Sequence, residues 1–191
     1  KKVLIISSSP RIGGNSDILC DSFAKGAQEA KNHIEKISLK NKKINYCTGC
    51  GLCNSNGYSA CSQSDDMNEI LLKMIDADVI VFATPVYFYT MCAQMKTLID
   101  RCCAMYTKIT NKEFYYILTA ADDNKANLER TVEEFRGFLA CLSGAREKGV
   151  IYGTGVWQKG EVNQTDLPKQ AYEAGFLVQT NSRRKAGYLI N

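Results

Sequence analysis

The sequence predicts an α/β domain: a doubly wound, five-stranded parallel sheet in the order 2-1-3-4-5, with helices on both faces. Three observations lead there. Five short apolar runs alternate with segments whose apolar residues recur at helical spacing. Two of the runs, Val3–Ile6 and Val79–Ala83, are almost wholly apolar, as strands covered on both faces must be. A chain of 191 residues with 45% hydrophobic and 23% charged residues suits one core. The expectation is a single domain over residues 1–191, without repeat or linker.

The first strand, Val3–Ile6, leads through a long loop to a helix with Ile18, Leu19, Phe23 and Ala27 on one face. The second, Ile34–Leu39, mixes Glu35, Lys36 and Ser38 with Ile37 and Leu39, which suits a sheet edge. Residues 45–64 show no periodicity and read as a Cys-rich insertion. Met67, Ile70, Leu71, Met74 and Ile75 then make a helical stripe, opened by Asp66 and Glu69 in capping-box spacing. After the third strand, Val79–Ala83, comes a stripe of Met95, Leu98, Ile99, Cys102 and Cys103. The fourth strand is Phe114–Ala120, and Leu128, Val132, Phe135, Leu139 and Leu142 form a helix stopped near Gly144. Val150–Tyr152 is the fifth strand. A last helix starts at Thr165, with Pro168 in its first turn.

In a sheet of this order, ligands sit beyond the carboxyl ends of strands 1 and 3. The loop after strand 1 reads Ser7-Ser8-Ser9-Pro10-Arg11-Ile12-Gly13-Gly14-Asn15-Ser16. Strand, glycine- and hydroxyl-rich loop, then helix N-terminus is how an α/β protein holds a phosphate, because the helix presents unpaired N–H groups and partial positive charge. Ser9, Asn15 and Ser16 can add hydrogen bonds, and Arg11 a fixed charge. No Gly-Lys-Ser/Thr closes the loop and no G-x-G-x-x-G is present, so it is neither a P-loop nor a dinucleotide fingerprint. A plain linker with Asn15 or Ser16 as N-cap is the competing reading, but βα loops usually take only about 2–6 residues.

The loop after strand 3, Thr84-Pro85-Val86-Tyr87-Phe88-Tyr89-Thr90-Met91, lies at the same end of the sheet. Its rings and backbone could hold a flat heteroaromatic system, or they could form a hydrophobic plug or a dimer contact.

A net charge of +4 is too mild and dispersed for nucleic-acid binding, and Arg183-Arg184-Lys185 reads as a solvated helix end. The apolar stretch from Val79 to Cys92 is broken by Pro85 and too short to span a bilayer. No charged n-region with apolar core and cleavage site opens the sequence, so the expected location is cytoplasmic. Nine cysteines in that setting read as reduced thiols or metal ligands rather than disulfides. The single histidine, His33, precedes the edge strand, at the end of the sheet opposite the site, so a Ser-His-Asp hydrolase does not fit.

Ser9-Pro10-Arg11 with Gly14-Asn15-Ser16, and Pro85-Val86-Tyr87-Phe88 through Met95-Lys96-x-x-x-Asp100-Arg101, resemble the NAD(P)H-dependent FMN reductases of the flavodoxin-like superfamily. The resemblance runs nearly the whole chain, including Gly153–Gly160 and the final helix; Ser8 stands where a glycine is commoner. It implies that Ser9, Arg11, Gly14, Asn15 and Ser16 hold the FMN phosphate. Pro85, Val86, Tyr87 and Phe88 would lie along the isoalloxazine ring, and the loop from Thr119 to Asp122 would close on it. The implied reaction is hydride transfer from NAD(P)H to the flavin and onward to an acceptor. The cofactor does the chemistry and the protein sets geometry, so no acid/base dyad is needed. Dimers or tetramers are the expectation from the family.

The remaining signal is Cys47-Thr48-Gly49-Cys50-Gly51-Leu52-Cys53, with Cys61 further on. Thiolates at C-x2-C-x2-C can wrap one cubane cluster with a fourth ligand from beyond, whereas structural zinc more often takes two separated C-x2-C pairs. Free or oxidised thiols are the third reading. Within the superfamily the motif resembles the iron–sulfur flavoproteins, which implies a [4Fe-4S] cluster on Cys47, Cys50, Cys53 and Cys61. Cys20, Cys102, Cys103 and Cys141 fall within helical patterns and are expected to be buried thiols, and packing is also the expectation for Cys92. For Trp157 and the Gly153–Gly160 loop, covering the site and meeting a dimer neighbour stay open.

Two functions follow as expectations. One is an FMN-dependent oxidoreductase passing electrons from NAD(P)H to flavin, quinone-like or iron–sulfur acceptors. The other is an iron–sulfur flavoprotein acting as an electron carrier with ferredoxin. A simple flavodoxin carrier, usually strongly acidic, fits +4 poorly. A zinc-stabilised binding module with a vestigial phosphate loop would be non-enzymatic.

Overall fold

Successive side chains of the central strands divide between two cores, as the pleat requires. Leu4, Ile6, Ile80, Phe82, Phe114, Tyr116 and Leu118 pack on one face, and Val3, Ile5, Val79, Val81, Tyr115 and Ile117 on the other. These strands are β1 (Lys2–Ser7), β3 (Val79–Tyr87) and β5 (Glu113–Thr119). The structure, a computed structural model, describes residues 1–178, so Arg183, Arg184 and Lys185 lie outside the described residues.

The remaining strands are β2 (His33–Ser38), β4 (Thr90–Met91) and β6 (Arg146–Gly153). The path β2-β1-β3-β5-β6 is parallel throughout, with Val3 beside both Ile34 and Val79. This is the flavodoxin-like α/β fold, with the expected strand order once the two-residue β4 is set aside. Helices α1 (Asn15–Glu29) and α6 (Leu167–Phe176) cover one face. Helices α3 (Met67–Asp76), α4 (Ala93–Arg101) and α5 (Lys125–Ala140) cover the other. The four-residue α2 (Leu52–Ser55) lies in the Cys-rich insertion. Backbones of α1 and α6 cross in contact: a Cβ on Gly26 would strike the Tyr172 carbonyl, and one on Gly175 the Phe23 carbonyl.

Three local expectations are corrected. Strand β6 starts four residues earlier than Val150, because its charged opening Arg146-Glu147-Lys148 belongs to an edge strand and carries no apolar signal. Asp66 forms no capping box; its carboxylate accepts from Lys43 N at 2.6 Å, and Asp65 Oδ1 takes the N–H of Met67 at 3.1 Å. Strand β3 runs four residues past Ala83 and turns back as β4, pairing Val86 with Met91 and Tyr87 with Thr90. The two residues of that turn, Phe88 and Tyr89, have φ of 51° and 63°. Tight hairpins need this left-handed pair but usually take Asn-Gly for it, so the hairpin left no mark in the sequence.

Among the described residues no helix is long and apolar enough to cross a membrane.

Candidate functional site

Beyond the carboxyl ends of β1, β3 and β5 lies a cleft of about 490 Å³. Ser9, Arg11, Gly14, Asn15, Ser16, Pro85, Val86, Tyr87, Phe88 and Thr119 all line it. Three loops distant in sequence thus converge as expected. Tyr89, Leu128, Val156 and Trp157 complete the wall, with Ala120, Ala121 and Asp122 of the loop after β5.

In the loop after β1, Arg11 N donates to Ser9 Oγ at 3.2 Å and Gly14 N to Arg11 O at 3.0 Å, closing a tight turn. A Cβ on Gly14 would lie 3.0 Å from both Arg11 Cβ and Arg11 O, so the turn has little room for a side chain. Gly14 then leads into α1 without any side-chain cap. The N–H groups of Asn15, Ser16 and Asp17 therefore open the helix without intrahelical partners. Ser16 Oγ and Thr119 Oγ1 share a buried hydrogen bond of 2.6 Å across the cleft floor. Arg11 donates to the carbonyl of Trp157 at 3.0 Å, and among the described residues no carboxylate pairs with it. Uncapped N–H groups, hydroxyls and an uncompensated guanidinium suit an anion.

Asn15 plays a different part from the one its position suggests. Its Nδ2 donates to the Gln158 carbonyl at 2.9 Å, while its Oδ1 accepts from Gly160 N at 3.0 Å and Val162 N at 3.3 Å. The side chain fastens the loop carrying Val156 and Trp157 to the start of α1. Asp17 braces the same turn by accepting from Gly13 N at 2.9 Å. Burial opposes its charge, but Lys36 at 2.5 Å and the Gly13 N–H hold its carboxyl below the ordinary value.

At the other end the aromatic hairpin is held by α5. Thr131 Oγ1 donates to the Tyr89 carbonyl at 3.0 Å, Glu134 Oε2 accepts from Met91 N at 2.9 Å, and the Arg130 guanidinium lies over the Tyr89 ring. Phe88, 98% exposed, stands free at the cleft mouth. Among the described residues Asp122 is the one carboxylate on the wall, its pKa lowered by the N–H of Asn124, then by Asn127 and Tyr89. Cys92 is buried, as expected; its N–H donates to Thr84 Oγ1 at 3.1 Å and its thiol to Ser8 Oγ at 3.1 Å, beneath the phosphate loop. His33 opens β2 at the opposite end of the sheet.

A family model of the NADPH-dependent FMN reductases matches residues 1–147. The chain belongs to that family. It is 36% identical over 182 residues to an iron-sulfur flavoprotein of Archaeoglobus fulgidus, covering 93% of this chain and 78% of the relative. An iron-sulfur flavoprotein of Methanocaldococcus jannaschii is 36% identical over 174 residues, covering 87% of this chain and 89% of the relative. Among solved structures, an FMN-dependent NADH-azoreductase of Bacillus anthracis in complex with FMN superimposes with a TM-score of 0.71, at 16% identity. It covers 94% of this chain and all of that one, and shows the shared fold.

This FMN reductase-family chain is an oxidoreductase with a second cavity, of about 240 Å³, lined by Cys47, Cys50, Cys53 and Cys61. The insertion that carries them has left-handed Gly49 and Gly51 around Cys50, with φ of 64° and 72°. The Leu52 N–H and the Thr48 and Ser62 hydroxyls hold the Cys50 thiol below its ordinary pKa. Two further residues of this cavity were given no part in it by the sequence. Cys103, expected to be buried in a helix, is exposed on the 3-10 turn after α4, with its sulfur 3.9 Å from that of Cys53. Cys141 is also exposed, on the turn ending α5, whereas Cys20 and Cys102 are buried as expected.

The second is Arg101, 2% exposed at the end of α4. Nη1 donates to Asn45 O at 2.7 Å and to Asp65 Oδ2 at 2.7 Å; Nη2 donates to Asp65 Oδ1 at 3.0 Å and to Cys61 Sγ at 3.3 Å. One guanidinium thereby holds the insertion at both ends. Its Nε is buried and among the described residues has no hydrogen-bond partner. Among the described residues no group of three His, Cys, Asp or Glu side chains is disposed around a single metal-ion position.

Proposed function

We propose that the cleft binds FMN and that the chain passes electrons from NAD(P)H through it to an iron–sulfur acceptor. In this reading the Cys47, Cys50, Cys53 and Cys61 thiolates hold a [4Fe-4S] cluster, and ferredoxin is the partner of the same chemistry. The observation that carries the reading is that all four thiols line one cavity, at the end of a helix that begins after Cys92 and ends at Arg101. The names of the curated relatives support it.

Arg11 and the opening N–H groups of α1 would neutralise the FMN phosphate, with Ser9 and the Ser16–Thr119 pair completing its oxygen contacts. Pro85, Val86 and Tyr87 would support the ring, and Asn15 would keep Val156 and Trp157 against it. Held by these residues, FMN would supply the hydride-accepting and electron-releasing chemistry. The protein's task is binding, orientation and exclusion of water, which agrees with a wall whose one carboxylate is tied to its own loop. Phe88 at the mouth gives a flat acceptor or the nicotinamide a ring to stack on.

A second reading, an NAD(P)H-dependent flavin or quinone reductase without a cluster, is favoured by the family match. Flavin and iron counted on one anaerobically purified sample separate the two. One FMN and about four irons per chain support the cluster reading. One FMN without iron after anaerobic reconstitution with ferrous ion and sulfide selects the second, and failure to bind added FMN overturns both.

A further inference from the structure

The cavity that the four motif thiols line has a fifth. Cys53 lies on the four-residue helix α2, and Cys103 on the 3-10 turn Cys102–Ala104, brought together across 50 residues of chain. Their sulfurs are 3.9 Å apart in direct thiol–thiol contact. A disulfide needs the sulfurs at about 2.05 Å, and the elements here can give. Helix α2 is a single turn between Gly51 and Gly57, both at positive φ and with no neighbour that a Cβ would meet. Cys53 is partly accessible and Cys103 exposed, so a small oxidant reaches both. Among the described residues no other two thiols are in contact: Cys20, Cys92 and Cys102 are buried, the Cys50 sulfur meets the Ser62 hydroxyl, Cys61 accepts from Arg101, and the Cys141 thiol donates to the Gly137 carbonyl.

We propose that Cys53 and Cys103 are a dithiol–disulfide couple, oxidised by a hydroperoxide, that closes the thiol cavity. The Cys53 sulfur attacks the peroxide, forming an S–O bond and breaking O–O, with release of water; the Cys103 sulfur then attacks the sulfenic sulfur, forming S–S and breaking S–O, and the oxygen leaves as a second water. In sum two thiols lose two electrons and two protons, and hydrogen peroxide becomes two waters. The disulfide spares Cys53 from irreversible oxidation and withdraws it as a ligand until a thiol reductant restores it. The couple goes beyond the cluster reading and does not depend on it, since both thiols are present in the metal-free chain.

The test is peroxide oxidation of the full chain after chelation of metal, alkylation of the remaining thiols, and tryptic mapping without reductant. Trypsin leaves Cys47, Cys50, Cys53 and Cys61 on peptide 44–73, and Cys102 and Cys103 on peptide 102–108. The expected product is those two peptides joined, with fragmentation placing the bond at Cys53 and Cys103. Two of the nine thiols are lost and dithiothreitol recovers both. Cys103→Ser and Cys53→Ser each abolish the joined pair, while Cys47→Ser keeps it. A bond confined to peptide 44–73, a bond between two chains, or no thiol lost would each overturn the proposal.

Discussion

Arg101 Nη2 lies 3.3 Å from Cys61 Sγ, while the same guanidinium makes a two-pronged ion pair with Asp65 whose side chains are 1% and 0% exposed. A charge pair this deeply buried ties the thiol insertion to α4. The cost of losing it falls on the partner left behind.

Arg101→Ala strands the Asp65 carboxylate in the interior and is expected to lower stability by about 3–5 kcal/mol. Hydrogen exchange should rise first in residues 45–65, which carry the Asn45, Cys61 and Asp65 contacts. Urea unfolding with exchange mass spectrometry checks both. Uniform loss of protection across the sheet would refute a local clamp.

Arg11 and Asn15 should separate although both line the cleft. Arg11→Ala removes the uncompensated charge, weakening FMN by about 1–3 kcal/mol and flattening the salt dependence of binding, with folding nearly unchanged. Asn15→Ala frees the loop at Gln158, Gly160 and Val162, so it should weaken FMN and also lower the melting temperature. Fluorescence titration at two salt concentrations, with calorimetry, distinguishes them. Equal salt slopes for Arg11→Ala and the parent would contradict the charge assignment.

Phe88 holds φ of 51° while almost fully exposed, so its ring contributes no burial to offset a left-handed backbone. Left-handed conformation costs roughly 1–2 kcal/mol for an ordinary residue, and Asn escapes most of it. Phe88→Asn is therefore expected to stabilise the protein by about 1 kcal/mol and to raise KM for the electron acceptor. A lower unfolding midpoint, or an unchanged KM, would count against the ring's assigned role.

Acid and alkali should each loosen the phosphate loop. The Asp17 carboxyl is held below its ordinary value, so its contribution is present above about pH 4 and disappears as pH falls through the lower folded value. For Lys36, burial works against the charge, but Asp17 and Asp21 raise the pKa. Its share is present below about pH 10 and lost as pH rises through the folded value. Asp17→Asn should shrink the acid limb of a stability–pH profile; a limb of unchanged size would assign it elsewhere.

The sheet was legible because buried parallel strands are continuous apolar runs, and Val3–Ile6 or Val79–Ala83 admit few other readings. Ser9 to Ser16 was legible as chemistry because the loop is too long and too polar for a connection. Strand β6 was clipped because an edge strand may begin with Arg146-Glu147-Lys148 at no cost. The Phe88–Tyr89 turn was invisible because it lacks Asn-Gly, and the part Asn15 plays in holding a distant loop was invisible because its partners are 141 residues or more away. Cys103 and Arg101 were passed over for a related reason. Helical spacing reports which residues share a face, not that the end of α4 meets a distant loop.

Helix α4 runs without interruption from the residue after Cys92, whose thiol underlies Ser8, to Arg101 at the thiol cavity. Nine residues of helix make a strut about 14 Å long. The distance from Cys92 to the thiol cavity is therefore set by the rise of a helix, and the direction in which Arg101 faces by its phase. One residue inserted in mid-helix would swing Arg101 by about 100°, turning it away from Cys61 while leaving every cysteine in the chain.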